Sequence, residues 1–275
     1  MLKKVNALVL GLAVLLAVGC GKDDPEPQPD SQTPTPKSCR LVKYVFPGYG
    51  SNDGIVEKYV YDNSGKVIQK NIARSDSSKY IEDIVYSANG NVKEIILSSG
   101  NRSVKSSYHY NGANLIDKIL FYDQDAGGNY YLQSIYQLQY DIIGRLIKHS
   151  NFGPQDTVSG GYIDYFYPAA NQMKIMVYNK NQAGNLGLHY ITFWEYDSHK
   201  NPVIIDGNFI GSGLYKSNFI PQNIIKSTTT EVASGYTGEP FFYNTIYNPA
   251  GYPIERTTVV GNQILSKENW YYNCQ

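Results

Sequence analysis

Hydrophobic and polar positions alternate along nearly the whole of this chain, and the alternation is clearest on the approach to a recurring turn. Tyr59 and Tyr61, Ile84 and Tyr86, Tyr108 and Tyr110, Leu138 and Tyr140, Tyr165 and Tyr167, and Trp194 and Tyr196 share one face of a two-residue period. No long stretch repeats at helical spacing, so strands carry the chain. The opposite face holds Val60, Val85, His109, Gln139, Phe166 and Glu195, which is more polar but mixed. Beyond each turn, strict alternation puts Gln69, Glu94, Asp117 and Lys148 on the tyrosine face. On this reading inside and outside are not cleanly separated, and both faces of the sheet are expected to be partly covered.

The turn is clearest at Tyr61-Asp62-Asn63-Ser64-Gly65-Lys66-Val67. Asp62 suits the first position of a type I turn, and Gly65 the left-handed position that a G1 bulge requires. Only Gly, and less well Asn, adopts that conformation cheaply. Tyr61 then lies opposite Val67 on one face of a hairpin, where an aromatic and a β-branched side chain pack well. The same arrangement recurs at Tyr86 with Gly90 and Val92, at Tyr140 with Gly144 and Leu146, and at Tyr247 with Gly251 and Pro253. Looser copies follow Tyr110, read as one residue shorter with Asn114 and Leu115, then Tyr167 (Asn171, Met173) and Tyr196 (Lys200, Pro202, Val203). A degenerate copy starts at Phe219, with Asn223 and Ile224, and Tyr272 adds a half-unit. About eight such hairpins make a continuous repeat array.

This pattern resembles the YD repeat of RHS-type proteins, Tyr-x-Tyr-Asp-x-x-Gly-x-Leu/Val, most closely from Tyr59 to Val67 and from Tyr140 to Leu146. Over residues 39–275 the chain looks like a group of Bacteroidota lipoproteins, of unassigned function, built from degenerate YD-like hairpins. The resemblance implies a fold and a location, not an activity. The toxin-enclosing shell of RHS proteins is not implied, because this array is short and carries no cargo domain.

Lys3-Lys4, an apolar run from Ala7 to Val18 and Gly19-Cys20 read as a lipoprotein signal peptide over residues 1–19, with lipid expected on Cys20. The apolar run is too short to span a bilayer. Residues 20–38 include Pro25, Pro27, Pro29, Pro34 and Pro36 among polar residues, a composition that builds no core and favours an extended tether. Lys22-Asp23-Asp24 resembles the signal that sends Bacteroidota lipoproteins to the cell surface. An outer-membrane protein facing the exterior is therefore expected, with a periplasm-facing lipoprotein as the alternative.

The chain holds 24 basic and 24 acidic residues. Removing Lys3 and Lys4 with the signal leaves 22 and 24, and removing Lys22, Lys37, Asp23, Asp24, Glu26 and Asp30 with the tether leaves 20 and 20. Such balance gives no footprint for nucleic acid. Cys39 and Cys274 stand at the two limits of the repeat domain, 39–275, in an oxidising compartment where an even pair bridges. A bridge constrains topology. Sixteen strands laid flat at about 4.8 Å spacing put the ends some 70 Å apart, whereas a disulfide needs Cα atoms within about 7 Å. The expected fold is thus an all-β, antiparallel up-and-down meander rolled into a closed or nearly closed, flattened barrel, with an open superhelical sheet as the alternative.

Catalytic signals are sparse. His109, His149, His189 and His199 have no partner at metal-ligand spacing and read as surface or strand residues. No nucleophile elbow or phosphate-cradling loop occurs, and cysteines in a bridge are not nucleophiles. Asp123-Gln124-Asp125-Ala126-Gly127-Gly128-Asn129 has oxygen ligands at alternate positions, but it lacks the fifth-position acid and has Ser134 where a calcium loop needs Glu. A polar hairpin tip explains it better. Of the 26 tyrosines, Tyr49, Tyr130, Tyr131, Tyr162, Tyr215 and Tyr236 fall off the repeat register near Gly-rich loops, as candidates for exposed contacts beside ordinary loop packing. The reading is a non-enzymatic binding or display module without cofactor or metal, its partners the membrane through its lipid and an extracellular glycan or protein. A glycan-acting enzyme with carboxylates gathered across strands and an envelope-assembly protein are the alternatives.

Overall fold

A computed structural model describes residues 39–48, 54–180, 184–200, 204–205, 208–209 and 222–274. Cys20, the signal peptide, the tether, Tyr49 and Tyr215 lie outside them. Eighteen strands follow one another: β1 (Cys39–Phe46), β2 (Ile55–Tyr61), β3 (Val67–Arg74), β4 (Lys79–Tyr86), β5 (Val92–Ser99), β6 (Arg102–Tyr110), β7 (Ile116–Gln124), β8 (Tyr130–Tyr140), β9 (Leu146–Phe152), β10 (Gly161–Ala169), β11 (Gln172–Lys180), β12 (Leu186–Lys200), β13 (Ile204–Ile205), β14 (Asn208–Phe209), β15 (Gln222–Glu231), β16 (Phe241–Tyr247), β17 (Pro253–Val260) and β18 (Gln263–Cys274). β13 and β14 pair only with each other; the other sixteen form one closed antiparallel meander in which β1 meets β18. The Cys39–Cys274 disulfide seals that seam, with Cα atoms 4.0 Å apart. Closure is the expected outcome, and the open superhelical sheet is excluded.

The turns are built as their residues dictate. Gly65 N–H donates to Asp62 O at 3.1 Å and Asp62 N–H to Lys66 O at 2.8 Å. The Asp62 carboxylate accepts the Ser64 and Lys66 amides, each at 2.9 Å, and these bonds, led by the one from the Ser64 hydroxyl, lower its pKa. Gly65 has φ +89°. Asn114 occupies the same place at φ +61°, and Tyr110 pairs with Ile116. The Tyr110 unit is therefore full length, and Leu115 is not its paired residue. The loop Asp125–Asn129 is another copy, with Gly128 at φ +87° and the Asp125 carboxylate accepting the Asn129 amide at 2.8 Å.

Two further readings are corrected. Tyr196 pairs with Ile224 across β12 and β15, so Tyr196 and Ile224 make one unit with an insertion between them, rather than separate copies at Tyr196 and Phe219. Pro202, Val203 and Phe219 themselves lie outside the described residues. The second correction concerns the faces. Tyr61 pairs with Val67, but Val60 pairs with Gln69, so Ile68 is an extra, bulged residue. The same slip follows Tyr86, Tyr110, Tyr140 and Tyr247. Each bulge returns the departing strand to the other phase. Gln69, Glu94 and Lys148 consequently lie on the outer face, Asp117 is itself the bulged residue next to Ile116, and Lys70, not Gln69, points inward.

With the bulges included, the two faces separate. The inner face holds Val67, Ile84, Val92, Ile95, Tyr108, Ile116, Ile119, Leu138 and Leu146 as one cluster, each no more than 8% exposed, and Met173, Ile175 and Tyr196 as a second. A round sixteen-stranded barrel would enclose an open channel. Residues buried to this degree require opposing walls to press together, as a flattened barrel provides. The outer face carries cross-strand ion pairs such as Lys148–Asp164 at 3.7 Å, Lys226–Glu195 at 3.0 Å and Lys267–Glu255 at 2.9 Å.

Candidate functional site

One end of the barrel is rimmed by the repeat tyrosines, five of which clasp the neighbouring unit. Each hydroxyl donates to the backbone carbonyl of the residue paired in the preceding unit: Tyr61 to Leu41 at 2.6 Å, Tyr86 to Val67 at 2.8 Å, Tyr110 to Val92 at 2.9 Å, Tyr140 to Ile116 at 2.7 Å and Tyr167 to Leu146 at 2.8 Å. The residue just before the paired aliphatic covers the next tyrosine ring. Arg40 lies over Tyr61 at 5.7 Å, Lys66 over Tyr86 at 4.9 Å and Arg145 over Tyr167 at 4.5 Å. Tyr252 replaces the cation against Tyr272 at 5.4 Å. Past Tyr167 the ladder breaks: the Tyr196 and Tyr272 hydroxyls have no hydrogen-bond partner among the described residues, and Tyr247 donates instead to the Asp197 carboxylate. The tyrosine at the repeat position is thus a structural clasp, as its place in the turn implies.

The inner face is not uniformly apolar. Neither aliphatic cluster includes a residue of β16, β17, β18 or β1, and on the wall that runs from β17 through β1 to β4 charged and hydroxylic groups take over. Arg256 grips Glu268 with Nη2 at 2.9 and 2.7 Å and with Nε at 3.3 Å. Tyr44 donates to Glu268 Oε2 at 2.8 Å. The guanidinium sits between the rings of Tyr243 at 5.3 Å and Trp270 at 5.4 Å. Burial opposes the Arg256 charge, but the Glu268 carboxylate more than restores it and its pKa is raised. Burial, then Glu268, raises the Tyr44 phenol far above its ordinary value.

The wall continues with Tyr59 donating to Glu57 Oε2 at 2.7 Å and Lys70 paired with Glu82 at 2.9 Å, the latter two 5% and 0% exposed. Burial, then Glu57, raises the Tyr59 phenol. Two inward hydroxyls that face each other in register, Thr258 at 0% and Ser266 at 4% exposure, have no hydrogen-bond partner. Buried polar groups are ordinarily satisfied, so this wall is polar beyond what packing needs. Sequence reasoning missed it, since Tyr44, Glu57, Arg256 and Glu268 are far apart in the chain and carry no local motif. Strict alternation through the turns also hid the inward position of Lys70.

The residues singled out in the sequence do not converge. Tyr162 stacks on Tyr178 at 4.4 Å with Lys148 over its ring at 3.8 Å, on the outer face. Tyr236 is 67% exposed, while Tyr130 and Tyr131 begin β8. His149 is buried on the inner face against Tyr136, 5.1 Å between ring centroids. His199 stacks on Tyr247 at 3.8 Å, and His109 and His189 lie on β6 and β12. Among the described residues no group of three or more His, Cys, Asp or Glu could hold a metal ion. The Asp123 carboxylate is taken by Arg102 at 2.9 Å and that of Asp125 by its own turn.

No protein-family profile and no curated protein sequence matches the chain. Its fold is similar to that of a porin-like protein from Bacteroides uniformis, at TM-score 0.56 and 13% identity over 85% of this chain and 96% of that one. A porin-like protein from Bacteroides vulgatus scores 0.40 at 12% identity, over 86% and 99%. The Photorhabdus luminescens Tc holotoxin pore scores 0.29 at 12%, over 80% of this chain and 13% of that one. The first of these shows a shared fold. A membrane-spanning barrel needs an apolar outer band and a polar lumen, whereas the outer face here mixes ion pairs with exposed apolar side chains such as Val60, Val85, Phe166 and Ile246. Here the aliphatic clusters are inside and the ion pairs outside.

Proposed function

We propose that this chain is a lipid-anchored envelope protein, held by Cys20 at the outer membrane and facing the cell exterior, whose barrel is a non-enzymatic binding module and not a pore. The observation that carries this reading is the asymmetry of the two barrel ends. The barrel strand order begins at Cys39, beside the Leu41 carbonyl that Tyr61 clasps, at the tyrosine-rimmed end. At the opposite end the inward-facing Tyr190 and Phe241 are 39% and 37% exposed, so the inner wall is open to solvent there. The inner wall exposed at that opposite end is where a partner would be met.

The signal-like residues 1–19 and the proline-rich residues 20–38 supply the anchor and tether. Glu268 is saturated by Arg256 and Tyr44, which suits a structural role more than that of a proton donor. Fractionation and protease shaving of intact cells test the proposal. Cys20→Ala should move the protein to the soluble fraction, and Asp23→Ala with Asp24→Ala should shield it from added protease. A wild-type protein that resists shaving would overturn the surface reading, and channel conductance in planar bilayers would overturn the exclusion of a pore.

A further inference from the structure

The geometry points to a binding site for a neutral saccharide on the polar inner wall of β16, β17, β18, β1 and β2, reached from the open end of the barrel. The inference rests on the binding-module reading and names the ligand class of that module. Saccharide recognition needs flat apolar platforms for the C–H faces of a sugar, together with adjacent donors and acceptors for its hydroxyls. Phe241 and Tyr243 lie on one inner face of β16, with Phe241 solvent-exposed at the open end.

Next to Tyr243, Arg256 commits Nε and Nη2 to Glu268, its Nη1 has no hydrogen bond among the described residues, and its side chain keeps 24% exposure. Glu57 accepts one bond, from Tyr59 on Oε2, and offers Oε1 as an acceptor. The unpartnered, buried hydroxyls of Thr258 and Ser266 are an independent sign of unfilled polar capacity on the same wall. Hydroxyl groups of a guest, which both donate and accept, would complement this mixture.

Charge gives no advantage to an anion. Lys70, Arg74 and Arg256 stand against Glu57, Glu82 and Glu268 along this wall, a balanced set in which Lys70 and Arg256 are already paired with carboxylates and Arg74 lies over the Tyr80 ring. A wall with as many carboxylates as cations has no excess positive charge to draw an anion in. A neutral ligand needs none.

The test titrates the purified full chain with maltohexaose, cellohexaose, mannohexaose and xylohexaose, and with polygalacturonate fragments as the anionic comparison. The two tryptophans, Trp194 and Trp270, both face inward, Trp270 against Arg256, so binding should shift the intrinsic fluorescence. At least one neutral hexasaccharide is expected to bind at least tenfold more tightly than the anionic fragments. Phe241→Ala and Glu57→Gln should each weaken it about tenfold, the scale of one stacking contact or one charged hydrogen bond. Both positions are solvent-accessible, so neither change opens a core cavity.

Failure to bind any neutral probe overturns the site, as does tighter binding of the anionic one. Binding that survives both changes but is lost in Tyr162→Ala or Phe193→Ala places the saccharide on the outer face, sinking this site while leaving the binding-module reading intact. Cleavage of a probe into shorter products sinks the non-enzymatic reading itself.

Discussion

At the scale of single residues, the barrel interior tolerates polar groups only where they are paired or neutral, and His149 shows the consequence. It is 5% exposed, faces inward between Leu138 and Ile163 in register, and its Nε2 has no partner. Burial lowers its pKa from 6.5 to about 4. Above pH 6.5 the imidazole is neutral folded or unfolded and contributes no pH dependence. Between pH 6.5 and 4 the unfolded chain takes up a proton that the folded one refuses, so stability falls with pH by an amount on the order of 3 kcal/mol in that window. Urea melts at pH 7 and pH 4.5 should show His149→Phe losing less stability on acidification than the wild type. An identical loss in both would mean that other groups govern the acid limb.

At the scale of the element, each turn is a unit whose parts can be removed separately. Gly65 and Gly251 both have positive φ, but a Cβ on Gly65 would come within 2.6 Å of Arg40 Nη2, whereas one on Gly251 meets nothing. Gly251→Ala should cost about 1 kcal/mol of backbone strain. Gly65→Ala should cost about twice that, because Arg40 must also leave the Tyr61 ring. Hydroxyl deletions divide in the same way. Tyr86→Phe forfeits its bond to the Val67 carbonyl, for about 1 kcal/mol, while Tyr196→Phe and Tyr272→Phe, lacking partners, should be neutral or slightly stabilising in chemical denaturation. Equal losses at all three would refute the ladder. These turns were legible in the sequence because their chemistry is local: a carboxylate, amide or hydroxyl at the first position and a left-handed residue at the fourth. The bulge after each turn was not, because one extra residue leaves no compositional mark and yet reverses the face of everything beyond it. Leu115 was misread as the partner of Tyr110 for a related reason, since it is as apolar as the true partner, Ile116.

At the scale of the whole molecule, closure was legible from two cysteines at the limits of a repeat array, whereas the polar wall was not, because closure itself brings Tyr44 of β1 against Glu268 of β18. The seam therefore supports both the fold and the candidate site, and the disulfide is where it can be probed. Cys39 and Cys274 close a loop of sequence separation 235, which in the chain-entropy treatment is worth roughly 5 kcal/mol. The seam does not depend on sulfur alone. β1 and β18 stay paired from Cys39–Cys274 to Val45–Asn269, across one bulge between Leu41 and Lys43, with Trp270 against Tyr44. Reduction, or Cys39→Ser with Cys274→Ser, should accordingly lower the melting temperature without opening the barrel. Its effect should be local before it is global: amide exchange should quicken first in β1 and β18, while β5 to β8, which carry the larger aliphatic cluster, keep their protection. Uniform acceleration across all strands would show that the seam is no weaker than the rest. Alkylation of both cysteines without reductant would show two free thiols, and would refute the covalent tie between the terminal strands.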